Sequence, residues 1–196
     1  MLNAYTEMKK VRDEVFSLDG ELAEYRKKNN YFAVLGEGSH DANIMFIGEA
    51  PGRNEAKTGR PFCGAAGRIL DDLLLSINVP REDVYITNIV KDRPPENRDP
   101  LPSEIELYAP FLDRQIDIIK PKILATLGRF SMEYIMRKFE LVFELESISA
   151  AHGKMYDAFA SYGAIKIIPL YHPAAAIYNQ SLKETLKKDF QELKTP

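Results

Sequence analysis

Three polar side chains of different chemistry each come just after a short apolar run of the sequence. In parallel sheets, ligands bind beyond the carboxyl ends of the strands, so these three groups are predicted to meet at one edge of a sheet. A carboxylate can position water, an amide can read a ligand's hydrogen-bonding pattern, and an imidazole can donate to a growing negative charge. The three residues are Glu49, Asn88 and His172.

The elements that must position these groups follow from the hydrophobic pattern. The apolar runs are short and mostly β-branched, which is typical of buried strands. They cover residues 44–47, 84–87, 122–127 and 165–170. Helical periodicity is predicted over residues 65–77, 103–119, 130–139 and 180–193, the second opened by a capping box at Ser103. This alternation predicts an α/β fold, a three-layer α/β/α sandwich around a central four-stranded parallel sheet.

The chain is expected to form a single domain over residues 1–196. Its first 30 residues are dense in charge and predict an amphipathic helical segment, broken near Gly20. Residues 141–163 are less periodic and are expected to form a hairpin. The hydrophobic share of 45% and the charged share of 28% are those of a soluble globule, which excludes a wholly disordered chain.

The net charge of −3 excludes a strongly basic, charge-driven nucleic-acid binder, although a local basic footprint is compatible with it. The lone Cys63 excludes an internal disulfide framework. No apolar run approaches the roughly 20 residues that span a bilayer, and no secretory signal is recognised, so we expect a cytoplasmic protein with no membrane partner.

Residues 48–67 are predicted to form a structured, non-helical loop, because they contain five glycines and two prolines. The loop is the most cationic in the chain, and Gly64 opens the helix that follows it. One interpretation is a phosphate-binding nucleotide loop at residues 52–58. Ala56 stands where that motif needs glycine, and Pro61 follows where it needs a helix, which argues against this interpretation.

A family resemblance gives the other interpretation. Residues 48–52, with Glu55, residues 58–62 and Gly64, resemble the first motif of the family-four uracil-DNA glycosylases. Residues 87–100 resemble their second motif, and residues 171–174 resemble their closing motif. All three occur in the family's order, and the likeness runs from about residue 36 to the C-terminus.

The resemblance implies a monofunctional enzyme that hydrolyses the N-glycosidic bond of deoxyuridine and leaves an abasic site. Phe62 would stack on the extruded uracil, Asn88 would read its N3–H and O4, and His172 would donate to O2. Glu49 would position water, with Glu55 as the second carboxylate candidate. Gly48 and Ala50 are further expected uracil contacts. The expected DNA contacts are Gly64, Arg98, Pro173 and Ala174, with Lys91, Arg93 and the cations of residues 53–68 as candidate phosphate contacts.

The sequence departs from the resembled family at the cysteines that hold its four-iron four-sulfur cluster. The third and fourth would fall at Asp92 and Tyr108, and the first two near Glu14 and Ser17. Thiolate ligation of such a cluster is therefore not available. We expect a relative without metal or other cofactor, whose N-terminal segment is held by ordinary packing.

The expected partner is uracil-containing DNA, single- or double-stranded, bound by a monomer. One alternative stays open: a catalytically weak or inactive protein that binds uracil or abasic sites in DNA. The missing cysteines and the acidic overall charge motivate this alternative.

Overall fold

The computed structural model describes residues 4–194, which contain a six-stranded sheet in the order β1-β3-β2-β4-β6-β5. The strands are β1 (Glu37–Gly38), β2 (Ile44–Gly48), β3 (Tyr85–Asn88), β4 (Ile123–Leu127), β5 (Tyr156–Ala160) and β6 (Gly163–Leu170). Strands β3, β2, β4 and β6 are parallel, whereas β1 and β5 pair antiparallel at the two edges. The predicted α/β class with a central four-stranded parallel sheet is confirmed, and the edge strands extend it.

Helices cover both faces of the sheet. They are α1 (Ala4–Ser17), α2 (Glu21–Lys28), α3 (Arg53–Thr58), α4 (Ala65–Ser76), α5 (Pro102–Ile119), α6 (Arg129–Lys138), α7 (Ile148–Ala151), α8 (Ala175–Tyr178) and α9 (Gln180–Phe190). The break between α1 and α2 falls at Gly20, whose φ of 128° is one that glycine adopts readily. None of these described helices is both long and apolar enough to cross a bilayer.

Two cores lie on opposite faces of the sheet, because successive strand residues point to opposite sides. Phe46 packs with Leu70 of α4 and Phe190 of α9 on one face. Met45 packs with Leu112 of α5, and with α6, on the other face. Both faces are covered, so the parallel strands are apolar throughout, as the sequence shows.

The N-terminal helices α1 and α2 pack against the start of α5 and the chain that leaves β3. This smaller cluster contains Val15, Leu22, Val90 and Tyr108, all buried. Helices α1 and α2 therefore contact the segment that follows Asn88, and Ala50, which follows β2, packs against the same cluster.

Two local predictions are wrong. Helix α5 begins at Pro102, and the carboxylate of Glu104 accepts the Leu101 N–H at 2.8 Å, so Ser103 lies inside the first turn and does not cap it. Residues 48–67 are not wholly loop, because α3 lies between Gly52 and Gly59, which cap its two ends. The hairpin predicted within residues 141–163 is the β5–β6 pair, which begins at Tyr156 and continues beyond that range to Leu170.

Candidate active site

A cavity of about 370 Å³ lies at the edge of the sheet where β2, β3 and β6 end. Glu49, Asn88 and His172 all line it, so the three side chains that the sequence placed after different strands do meet. The other lining residues are Ala50, Gly52, Glu55, Phe62, Ala66, Asn97 and Ala174. Four further residues from the predicted set, Gly48, Gly64, Arg98 and Pro173, do not line the cavity.

Because Gly48 has no side chain, the Asn88 amide and the Phe62 ring both pack closely against its backbone. A Cβ atom there would lie 2.3 Å from Asn88 Oδ1 and 2.8 Å from Phe62 Cζ. Phe62 is 6% exposed and has a φ of 45°, a left-handed conformation that is rare for a bulky residue. A Cβ on Gly67 would lie 1.8 Å from the Phe62 carbonyl oxygen. Two glycines therefore permit the strained backbone that carries Phe62.

Glu55 holds the loop that carries Phe62. Its Oε1 accepts the N–H groups of Cys63 and Gly64, at 3.0 and 2.9 Å. Helix α3 brings this carboxylate across the loop, and Gly52 leaves room for it, because a Cβ there would lie 2.7 Å from Glu55 Oε2. The Gly64 N–H, expected to contact DNA, is thus already bonded within the protein.

Asn88 presents an amide that is almost enclosed and has no protein partner. The residue is 2% exposed and lines the cavity, and its side chain makes no hydrogen bond to any other residue within 4–194. Buried amides are normally hydrogen-bonded, so one left unpaired at a cavity wall is a candidate for binding a ligand. Its register is fixed by β2, where Gly48 is its Cα partner.

His172 is a neutral imidazole with one defined tautomer. Burial lowers its pKa to about 4, against a smaller opposing effect of Glu55. Nδ1 accepts the Ala174 N–H at 3.1 Å, so the proton resides on Nε2. The ring stacks on Phe62 with a centroid distance of 5.5 Å and an interplanar angle of 28°. The Nε2–H is therefore the group that His172 can offer to a ligand.

Glu49 is balanced between its two protonation states. Burial, the largest cause, and the nearby charge of Asp99 raise its pKa to about 7 against the opposing effect of Arg129. Arg129 and Asp99 themselves form an ion pair at 2.6 Å next to the cavity. The carboxyl group can therefore gain or lose a proton near neutral pH.

The predicted cationic contacts divide into bonded and unpaired groups. Arg98 makes two hydrogen bonds to Glu104, at 2.6 and 2.8 Å, and Arg93 donates to Asn97 and to Tyr25. Lys91 has 0% exposure, so its prediction as a phosphate contact is wrong. The exposed cations of residues 53–68 without an ion-pair partner in the described part of the chain are Arg53, Lys57 and Arg68.

The residues at the expected cluster positions do not fit an iron–sulfur cluster. Asp92 accepts from Arg26 at 2.9 and 3.1 Å and from the Tyr108 hydroxyl at 2.7 Å, and all three side chains are buried. Arg26 also donates to the carbonyls of Val15 and Phe16 in α1. No group of three or more metal-binding side chains occurs within residues 4–194. We call Arg26, Asp92 and Tyr108 the buried polar network.

The nucleotide-loop interpretation does not match the geometry. Lys57 and Thr58 end helix α3, whereas a phosphate-binding loop places the equivalent residues at the start of a helix. Among the cavity residues, Asn97 had no predicted role. Its φ of 55°, which asparagine tolerates better than most residues, was not readable from the sequence.

Comparisons with known proteins identify the family of the chain. The family model of the uracil DNA glycosylase superfamily matches residues 35–194. The type-4 uracil-DNA glycosylase of Sulfurisphaera tokodaii is 47% identical over 189 residues, 95% of this chain and 83% of that protein. The type-4 enzyme of Archaeoglobus fulgidus is 45% identical over 169 residues, 86% of this chain and 83% of that one. That of Saccharolobus solfataricus is 49% identical over 164 residues, 83% and 74% of the two chains.

The chain therefore belongs to the uracil DNA glycosylase superfamily, as the resemblance implied.

Proposed function

We propose that the chain excises uracil from DNA by hydrolysing the N-glycosidic bond of deoxyuridine, which leaves an abasic site. The observation that carries this proposal is the unpartnered amide of Asn88, 2% exposed, in one cavity with Phe62, His172 and Glu49. The names of the type-4 relatives support it independently. We propose that the chain acts as a monomer, because the proposed roles need no side chain from a second copy of the chain.

Asn88 can distinguish uracil from cytosine by hydrogen-bond polarity. Its Oδ1 accepts from uracil N3–H, and its Nδ2 donates to O4. Cytosine presents an acceptor and a donor at the same two atoms, so both amide atoms would face groups of their own kind. Burial makes that mismatch costly, because water cannot enter to satisfy the groups.

Phe62 and His172 together define where the base lies. If the ring planes are in contact at about 3.5 Å, a centroid distance of 5.5 Å means that the rings are displaced sideways by about 4 Å. A base stacked on the same face of Phe62 would then lie beside the imidazole, in its layer. The Nε2–H would meet O2 edge-on, as a good hydrogen bond requires.

Bond cleavage develops negative charge on uracil and positive charge on the sugar. The neutral imidazole of His172 donates to O2 and stabilises the leaving anion. Glu49, when ionised, holds water and stabilises the cationic sugar electrostatically. We assign Glu55 to positioning the Phe62 loop, because its Oε1 is already bonded to Cys63 and Gly64.

The DNA would reach the cavity along a weakly cationic rim. Arg53 and Lys57 on α3 and Arg68 on α4 are exposed, and Pro173 and Ala174 follow the catalytic histidine. These few charges suit phosphate contacts of moderate number, on single- or double-stranded DNA. No lysine of residues 4–194 lines the cavity as a Schiff-base nucleophile, which supports simple hydrolysis.

We also propose that the enzyme works without an iron–sulfur cluster. The buried polar network joins α1, α2, α5 and the segment after β3 at the positions where the resemblance expects cluster ligands. The purified chain should contain neither iron nor acid-labile sulfide, and iron reconstitution should not raise its activity.

The test is excision from an end-labelled oligonucleotide that carries one uracil, measured in single turnover and followed by alkaline cleavage of the abasic site. The wild-type chain should cut the uracil strand and leave a cytosine strand intact. Asn88→Ala should lower the rate by about 10²–10³-fold, as loss of a buried hydrogen-bonding group in an active site does. Asn43→Ala, exposed at the opposite edge of the sheet, is the matched control and should match the wild type.

Intact uracil strands at stoichiometric enzyme would refute the proposal. Binding of the uracil strand without cutting would favour the alternative of an inactive uracil- or abasic-site-binding protein. Excision that is insensitive to Asn88→Ala would remove Asn88 from base recognition.

A further inference from the structure

Lys91 is a lysine with no solvent contact. It lies three residues beyond the end of β3, has 0% exposure, and folds back onto its own strand. Its Nζ donates to the Asn88 carbonyl at 2.6 Å, to Gln115 Oε1 at 2.6 Å and to Thr87 Oγ1 at 2.8 Å. No carboxylate pairs with this nitrogen anywhere in residues 4–194.

The three partners of Lys91 all act as acceptors. The Thr87 hydroxyl donates its own hydrogen to the Leu35 carbonyl at 2.6 Å. The amide nitrogen of Gln115 donates to the same carbonyl at 2.9 Å and to the Tyr85 hydroxyl at 3.1 Å, which leaves Oε1 to accept. Three acceptors around one nitrogen require three N–H groups, which only the ammonium form has.

Such an ammonium group is expensive to bury. Burial acts to lower the pKa of Lys91 well below its usual value, which opposes the charged form. An apolar side chain of similar length would fill the same space without this cost. A costly group next to a functional site suggests a functional reason for it.

The nearest functional group is the residue that Lys91 holds. The Asn88 carbonyl belongs to the peptide that ends β3, and the next N–H, of Ile89, donates to the Gly48 carbonyl at 3.0 Å. The two bonds fix that peptide from both sides. The direction in which the Asn88 side chain leaves the backbone is thereby fixed as well, since Cβ is rigidly attached to the same Cα.

We infer that Lys91 is a positioning residue for base recognition: it clamps the end of β3, with Thr87 and Gln115, so that the Asn88 amide faces the cavity. The inference rests on the proposed function and deepens it. Gln115 lies on α5, and the Leu35 carbonyl that it contacts lies in the segment before β1. Both segments therefore influence base selectivity, although neither touches the base.

The test is a double-mutant cycle on the single-turnover excision rate. Lys91→Met keeps the length of the side chain and removes all three donors. It should lower the rate by about 10- to 100-fold, as a displacement of about 1 Å in a reacting site does. In an Asn88→Ala background the same change should cost less than about threefold, because residues that act through one another are not additive. Lys122→Met makes the same substitution at an exposed lysine at the opposite edge of the sheet and should leave the rate unchanged.

Equal losses in the two backgrounds, or no loss in the wild-type background, would overturn the inference. Should Lys91→Met fail to fold, Thr87→Val replaces it, with Thr87→Ser as the conservative variant that keeps the hydroxyl and should restore the rate.

The side-chain amide NMR signals of Asn88, identified by their loss in Asn88→Ala, give a readout without activity. They should shift in the Lys91→Met and Thr87→Val variants and stay in place in Lys122→Met. If the wild-type chain excises no uracil, the proposed function fails, and these signals alone decide the inference. Asn88 amide signals that do not shift in Lys91→Met would contradict the inference.

Discussion

Glu49 and His172 share a cavity but have pKa values displaced in opposite directions. Burial raises the pKa of Glu49 to about 7 and lowers that of His172 to about 4. Near neutral pH the carboxyl is therefore close to half ionised, whereas the imidazole is uncharged. This difference in pKa suits Glu49 for positioning water and His172 for donating a hydrogen bond.

The excision rate should depend on pH through Glu49 alone between pH 5 and 8. The ionised form is the active one, so the rate should rise with pH, reach half of its plateau at a pH of about 7, and level off about one pH unit higher. His172 stays neutral over this range and adds no further inflection. Single-turnover rates from pH 5 to 9 measure this profile. Glu49→Gln should lower the plateau by about 10²-fold or more and remove the rise. A flat wild-type profile would argue against the role of Glu49.

The types of the polar residues indicated the chemistry of the site only at positions that directly follow predicted strands. Glu49, Asn88 and His172 were identifiable because each comes just after an apolar run. Lys91 was not, because a lysine in a loop is usually exposed, and only the coordinates show it enclosed between α5 and β3. The left-handed φ of Phe62 is likewise invisible in the sequence.

At the scale of elements, the strands were predicted well because both of their faces are buried. Helix α3 was missed because glycine and proline dominate the composition around it, although the glycines turn out to cap it. The edge strand β5 has a mixed pattern of buried and exposed residues, and β1 has only two residues, so neither has a clear apolar signal. Arg26 and Asp92 are 66 positions apart, too far for sequence patterning to pair them.

Asp92→Ala should destabilise the chain strongly, because it leaves Arg26 buried without its counter-ion. The expected loss is about 3–5 kcal/mol of unfolding free energy. Tyr108→Phe removes one hydrogen bond to the same carboxylate and should cost less, about 1.5–3 kcal/mol. Denaturant unfolding measures both, and hydrogen exchange should report earlier opening of α1 and α2. Equal stability of Asp92→Ala and wild type would show that the buried polar network does not hold these helices.

At the scale of the whole molecule, the parallel sheet brings its functional groups to one edge and leaves the opposite edge without them. The topology could be predicted from the alternation of strands and helices, and with it the convergence of Glu49, Asn88 and His172. The net charge of −3 means that DNA attraction must come from local groups rather than from the overall field.

Lys57→Glu should weaken binding to uracil-containing DNA and make it less dependent on salt. The slope of log affinity against log salt concentration should fall in magnitude by about 1 for each phosphate that the variant no longer binds, and more if the new carboxylate repels the backbone. The chemical step at saturating enzyme should be unaffected. Lys122→Glu makes the same charge change at an exposed lysine on the opposite edge and should leave the slope alone. Identical slopes for both variants would exclude Lys57 from DNA binding.

Under the proposal that the enzyme works without a cluster, the buried polar network also determines what this protein needs in order to mature. The network consists of guanidinium, carboxylate and phenol groups, which are present as soon as the chain is synthesised. The contact between α1, α2 and α5 therefore needs no cluster-assembly machinery. The buried polar network contains no cysteine, because the one cysteine of the chain is Cys63, beside Thr58. Iron starvation, a chelator or peroxide would therefore not disrupt the network. Repair capacity in the producing cell would then track synthesis of the polypeptide rather than its metal supply.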